Sequence, residues 1–167
     1  MVEKLRKTLS APGLLGTIRG RFYRIPDHRT DRCSIRLVDA LMSGVAVFGL
    51  KCPSLLQFDR HRQDPVIAHN LHTLYGVKQT PCDTQMREIL DGVDPIHLRP
   101  AFKAVFSQVQ RGKALEAYAY LDGYYLMSVD GTGYFSSSSI HCDQCCVKNH
   151  RNGQVTYYHQ MLSAAIL

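Results

Sequence analysis

Two groups of residues in this chain have the types and spacing for chemistry. The first is His141-Cys142-Asp143-Gln144-Cys145-Cys146, followed by His150 and His159. Cys142 and Cys145 have the C-x2-C spacing that lets two thiolates hold one Zn²⁺. His150 or His159 would extend the set toward a tetrahedron, with Cys146 or His141 as further donors. No second C-x2-C pair and no H-x3-H pair accompanies them, so buried structural cysteine is the competing reading. No feature marks one thiol as an activated nucleophile. The second group is Asp130 with Gly131-Thr132-Gly133 behind it. A carboxylate fixed at the end of a buried strand offers the hard oxygen ligand that Mg²⁺ requires. Two-metal phosphodiester chemistry needs several such carboxylates converging. Asp-Gly is also ordinary turn chemistry.

These residues need elements to position them. Tyr124-Tyr125-Leu126-Met127-Ser128-Val129 is rich in aromatic and branched side chains and predicts a strand ending at Asp130-Gly131-Thr132-Gly133. Asp122-Gly123 predicts a turn before it. Val155 to His159 predicts another strand, with Asn152-Gly153 as the preceding hairpin turn.

Upstream the pattern is helical. Ile35, Val38, Leu41, Met42, Val45 and Phe48 give Ser34–Leu50 a buried face, and Lys51-Cys52-Pro53 ends it. Asp64-Pro65 starts a helix with face residues Val66, Ile67, Asn70, Leu71, Leu74 and Tyr75, and Gly76 stops it. Asp83 starts another, with Met86, Ile89 and Leu90 inward. Asp94-Pro95 starts a third, faced by Leu98, Phe102, Val105, Phe106 and Val109 and stopped at Gly112. The helices near 65–76 and 84–91 could form a helix-turn-helix in which Gln85 and Arg87 read DNA.

Charge is localised. Residues 1–36 carry nine basic and three acidic side chains, whereas residues 37–167 carry eleven of each. The whole net charge of +6 therefore lies in the first fifth of the chain. Ala11-Pro12-Gly13 and Arg24-Ile25-Pro26-Asp27 are expected to break regular structure there, giving a basic arm over 1–33. A basic arm beside a neutral body is the footprint of a polyanion binder, with Arg19, Arg21, Arg24, Arg29 and Arg32 as phosphate contacts. The longest apolar stretch, Leu37 to Leu50, is 14 residues long and contains Asp39, too short to span a membrane. No apolar segment follows the charged N-terminus, so a cytoplasmic protein with reduced thiols is expected, without a membrane partner.

Taken in order, several stretches resemble the N-terminal part of DDE-type transposases of bacterial insertion sequences. They are Leu50-Lys51-Cys52-Pro53-Ser54-Leu55-Leu56-Gln57-Phe58-Asp59, Asn70-Leu71-His72-Thr73-Leu74-Tyr75-Gly76-Val77, and the run from Pro81 to Asp91. Val129-Asp130-Gly131-Thr132 with Ser137-Ser138, Cys142-Asp143-Gln144-Cys145, and Tyr157-Tyr158-His159 follow. The resemblance runs from about residue 28 onward. It implies that Asp130 is the first acid of a catalytic triad, at the end of the first strand of a ribonuclease H-like sheet. The cofactor would be Mg²⁺ or Mn²⁺, and transposon ends would be the DNA partner. After Asp130 the only acid is Asp143, so the second Asp and the Glu of the pattern are expected beyond residue 167, and the chain is expected to be truncated and inactive alone.

The expected fold class is α+β, an N-terminal helical region followed by the first strands of an incomplete ribonuclease H-like fold. The expected division is an arm over 1–33, a helical DNA-binding region over 34–115 and a truncated catalytic domain with the His/Cys cluster over 116–167. Three functional readings compete: a transposase-related protein inactive by itself, a non-enzymatic DNA-binding or regulatory module that zinc could stabilise, and an unrelated zinc-stabilised protein. A homo-oligomer is compatible with each.

Overall fold

A computed structural model describes residues 7–30 and 33–167. The protein is α+β, with helices first and small antiparallel sheets after them. It divides into two compact units, residues 1–114 and 115–167. Among the described residues no helix is long and apolar enough to cross a membrane.

The first unit holds the core. Its helices are α1 (Ala11–Phe22), α2 (Leu37–Gly49), α3 (Leu55–His61), α4 (Pro65–Thr73), α5 (Asp83–Asp91) and α6 (Arg99–Arg111). Short 3-10 turns at Lys7–Leu9 and Pro95–Leu98 precede α1 and α6. α2 is the centre. Leu37, Val38, Ala40, Leu41, Met42, Ala46 and Val47 are all buried, on more than one face, as expected for a helix with neighbours all round. Ser43 within it donates to the Asp39 carbonyl at 2.7 Å, so its buried hydroxyl is satisfied.

The caps follow local chemistry. The Asp64 carboxylate accepts from Val66 N at 2.8 Å and Ile67 N at 3.1 Å, with Pro65 in the first turn of α4. Asp94 accepts from Ile96 N at 2.9 Å, but the helix it starts is 3-10 over Pro95–Leu98 before α6 begins. Gly76 has φ +66°, the left-handed conformation that ends a helix most easily at glycine.

Several expectations are corrected. Ala11-Pro12-Gly13 does not break the chain. Ser10 caps α1 by accepting from Gly13 N at 3.3 Å, and Pro12 lies in the first turn, where no intrahelical N–H is needed. Within the expected arm, residues 11–22 are a helix packed on α2 and α6, with Phe22 in the core, and the chain leaves regular structure at Arg24-Ile25-Pro26-Asp27 as expected. The short helix α3 was not anticipated. It is capped by Ser54 accepting from Gln57 N at 3.1 Å. In α6 the buried residue is Ala101, while Phe102 and Phe106 are 60% and 52% exposed, so the helix is rotated from its expected face. Phe48 of α2 is likewise exposed.

The second unit is built of ribbons. β1 (Ala119–Tyr120) and β2 (Tyr124–Tyr125) pair across a turn in which Leu121, Asp122 and Gly123 all have positive φ. β3 (Met127–Ser137), β4 (Cys146–Asn149) and β5 (Val155–Ile166) form an antiparallel sheet in the order β3-β5-β4. The Asn152-Gly153 turn precedes β5 as expected, with Gly153 at φ +81°. β5 continues past His159 to Ile166 and pairs with β3 along most of its length. No residue from 115 to 167 is buried, and the buried core cluster lies wholly between Phe22 and Ala101.

Candidate metal centre

The sheet brings together three of the residues singled out by type. Cys142 Sγ and Cys145 Sγ are 3.8 Å apart, and each lies 3.3 Å from His159 Nε2. Among the described residues this is the group of three potential ligands close enough to share an ion. A tetrahedral ion with Zn–S of about 2.3 Å and Zn–N of about 2.0–2.1 Å sets its sulfurs about 3.8 Å apart and sulfur and nitrogen about 3.5 Å apart. The observed triangle is one face of such a tetrahedron.

Local structure explains the triangle. Cys142 and Cys145 close a tight turn, in which Cys145 N donates to the Cys142 carbonyl at 3.1 Å and Cys142 N donates to Cys145 Sγ at 3.3 Å. The second bond orients that sulfur. His159 comes from the middle of β5, opposite Phe135 of β3. A register shift between Gly133 and Phe135 places an extra residue there, as in a β-bulge. Both Tyr134 and Phe135 then flank the imidazole, with ring centroids at 5.8 Å and 5.9 Å. These two aromatics were not anticipated; their signal was a glycine followed by two large rings inside a strand.

The remaining candidates separate by face. Side chains alternate along a strand and cross-strand partners share a face. Cys146 is opposite Tyr158 and so points away from the His159 side. His141 stacks on Tyr157, two residues before His159, at a centroid distance of 4.2 Å, and is on the ligand side. Its Nδ1 is 3.2 Å from the Ser139 carbonyl, a contact in which Nδ1 is the donor. His141 also lines the shallow recess of about 380 Å³ that contains the triangle. The expectation for His150 is corrected. Its Nε2 lies 2.9 Å from Thr156 Oγ1 across the β4–β5 turn, so that ring serves the hairpin and not the cluster. All six cysteines are free thiols.

Asp130 is also placed differently. It sits within β3 paired with Ser163, exposed, where a strand end was expected. Residues Gly131 to Gly133 continue the strand instead of turning. Among the described residues no group of potential ligands includes it, so the convergent carboxylates that Mg²⁺ or Mn²⁺ chemistry requires do not form around it.

The expected DNA contacts fall into two sets. Arg21, Arg24 and Arg87 are exposed. Arg19 and Arg29 are engaged inside the helical unit. Arg19 Nη2 donates to Tyr23 Oη at 3.1 Å and lies 4.0 Å from the buried Asp39 carboxylate, which Arg36 grips at 3.0 Å. Arg29 pairs with Asp27 at 2.8 Å and donates to the Ile35 carbonyl at 2.9 Å, which ties Asp27 and Arg29 to the residue two before α2. That hydrogen-bonded ion pair holds the Asp27 carboxyl below its usual range. Arg32 lies outside the described residues. Gln85 accepts from Cys82 N at 3.4 Å and so helps cap α5. The helix-turn-helix reading is corrected too: residues 74–82 separate α4 from α5, a longer link than the three or four residues of that motif, and α5 packs on α2 and α3.

Comparison with protein-family models, with curated proteins and with solved structures gave no match.

Proposed function

We propose that residues 115–167 form a zinc-stabilised β unit in a DNA-binding protein related to DDE-type transposases, and that the chain acts by binding rather than by cleaving DNA. The observation that carries the zinc reading is the Cys142–Cys145–His159 triangle, with separations of 3.8, 3.3 and 3.3 Å. His141 or a water would take the fourth position. A second consideration supports it. This unit buries no side chain, and its thiols are free. Segments of this size with so little core need a metal, a disulfide or a partner to hold a single structure.

The kinship rests on the ordered stretches of sequence, and the binding role on the basic side chains that remain exposed. The catalytic half of the resemblance has no such support, since a lone exposed carboxylate at Asp130 is a poor divalent-metal site. Asp130→Ala is expected to leave plasmid nicking in Mg²⁺ or Mn²⁺ at background, as in the unaltered chain.

Zinc content of the purified chain tests the metal reading. About one equivalent is expected, retained in His150→Ala. Cys142→Ser, Cys145→Ser and His159→Ala should each weaken binding by more than the roughly 10–100-fold typical of outer-shell changes. Zinc that survives all three substitutions would refute the assignment.

A further inference from the structure

α1 and α6 carry cations and no acid: Arg19 and Arg21 on the first, Arg99, Lys103 and Arg111 on the second. The two helices pack against each other although about 80 residues of sequence separate them. Where they meet there is a recess of about 340 Å³ lined by Arg21, Lys103 and Arg111 together with Thr17, Ser107 and Gln108. All but Thr17, whose hydroxyl donates to the Gly13 carbonyl at 3.0 Å, offer a free hydrogen-bond donor, and among the described residues no carboxylate lines the recess. Among the described residues none of the three cations has an acidic partner, unlike Arg29, Arg36 and Arg62, which are paired. The wider field has the same sign. Residues 1–114 hold 18 basic and 10 acidic side chains, a net +8, whereas residues 115–167 hold two basic and four acidic, a net −2.

We propose that the α1–α6 recess is the surface that grips the phosphate backbone of duplex DNA, through Arg21, Lys103 and Arg111. Unpaired cations exposed side by side repel one another, and a row of phosphates relieves that repulsion while releasing counterions. Hydroxyl and amide donors between the cations fix a phosphate's position without reading the base sequence. The proposal rests on the reading of the chain as a DNA binder. It keeps Arg21 of the expected arm as a phosphate contact and adds Lys103 and Arg111 from a distant segment, α6.

Fluorescence anisotropy of the full chain with a labelled 30-base-pair duplex, over a series of salt concentrations, tests it. Three phosphate contacts contribute about −2.7 to the slope of log K against log salt. Lys103→Gln with Arg111→Gln should make that slope shallower by about 1.8 and weaken binding at least about tenfold at 0.1 M salt, equally for unrelated sequences. Both residues are exposed, and an unchanged thermal transition would show the fold intact. Arg60→Gln, at an exposed cation of α3, should leave the slope almost unchanged. Full retention of slope and affinity in the double variant would overturn the α1–α6 assignment alone, and a loss in Arg87→Gln instead would put the contact on α5. Absence of duplex binding by the unaltered chain would overturn both this assignment and the DNA-binding reading.

Discussion

Single residues here are decided by what sits opposite them. His150 and His159 have equal standing as zinc ligands by type and spacing, and the β5 register separates them: His159 is delivered to the two sulfurs, His150 to Thr156. A pattern of cysteines and histidines cannot encode that choice, because it depends on which strand pairs with which. Arg29 is a similar case. Its charge suggested phosphate, yet Asp27 and the Ile35 carbonyl occupy its guanidinium. The lowered Asp27 carboxyl has a pH consequence. The ion pair's contribution is fully present above the ordinary carboxyl value of 3.8 and is lost as pH falls through the lowered folded value. The Arg29 amide, which donates to Asp27 Oδ1 at 3.1 Å, should therefore shift in NMR spectra in the acid range below about pH 4. In Asp27→Asn that titration should vanish; its persistence would assign the shift to another group.

At the level of elements, sequence signals worked where the physics is local. Asp64-Pro65, Gly76 and Gly112 mark helix boundaries through hydrogen bonds and backbone freedom within a few residues. Asp64→Ala should accordingly cost about 1 kcal/mol in chemical denaturation, by removing the acceptor for two amides at the start of α4. A loss under a few tenths would show that the cap is dispensable. Signals failed where a neighbour decides. Pro12 reads as a breaker until Ser10 caps the turn around it. The apolar positions of α6 do not reveal that small Ala101, rather than Phe102, lies against the body. Asp130 was expected at a strand end because Gly-Thr-Gly reads as a turn, but pairing of Gly131–Gly133 with β5 carries the strand through it.

The whole molecule is two units of different physical character. The helical unit has a contiguous apolar core from Phe22 to Ala101 and a surplus of positive charge. The sheet unit has no buried residue and leaves Met127, Val129, Met161 and Leu162 exposed on its ribbons. A metal is the natural organiser of such a unit, and its binding free energy is then folding free energy. Chelation should therefore abolish amide-exchange protection across β3–β5 while leaving that of α2 and α5 unchanged. The metal-free chain should self-associate through its exposed apolar strands. Protection lost equally in both units would contradict this division of stability. The central claim is a single ion bound by two sulfurs and a ring nitrogen, and zinc-edge X-ray absorption on the full chain tests it most directly. The account predicts two sulfur neighbours at about 2.3 Å and nitrogen or oxygen neighbours at about 2.0 Å, with one sulfur lost in Cys145→Ser. A shell without sulfur, or one of four sulfurs, would contradict it.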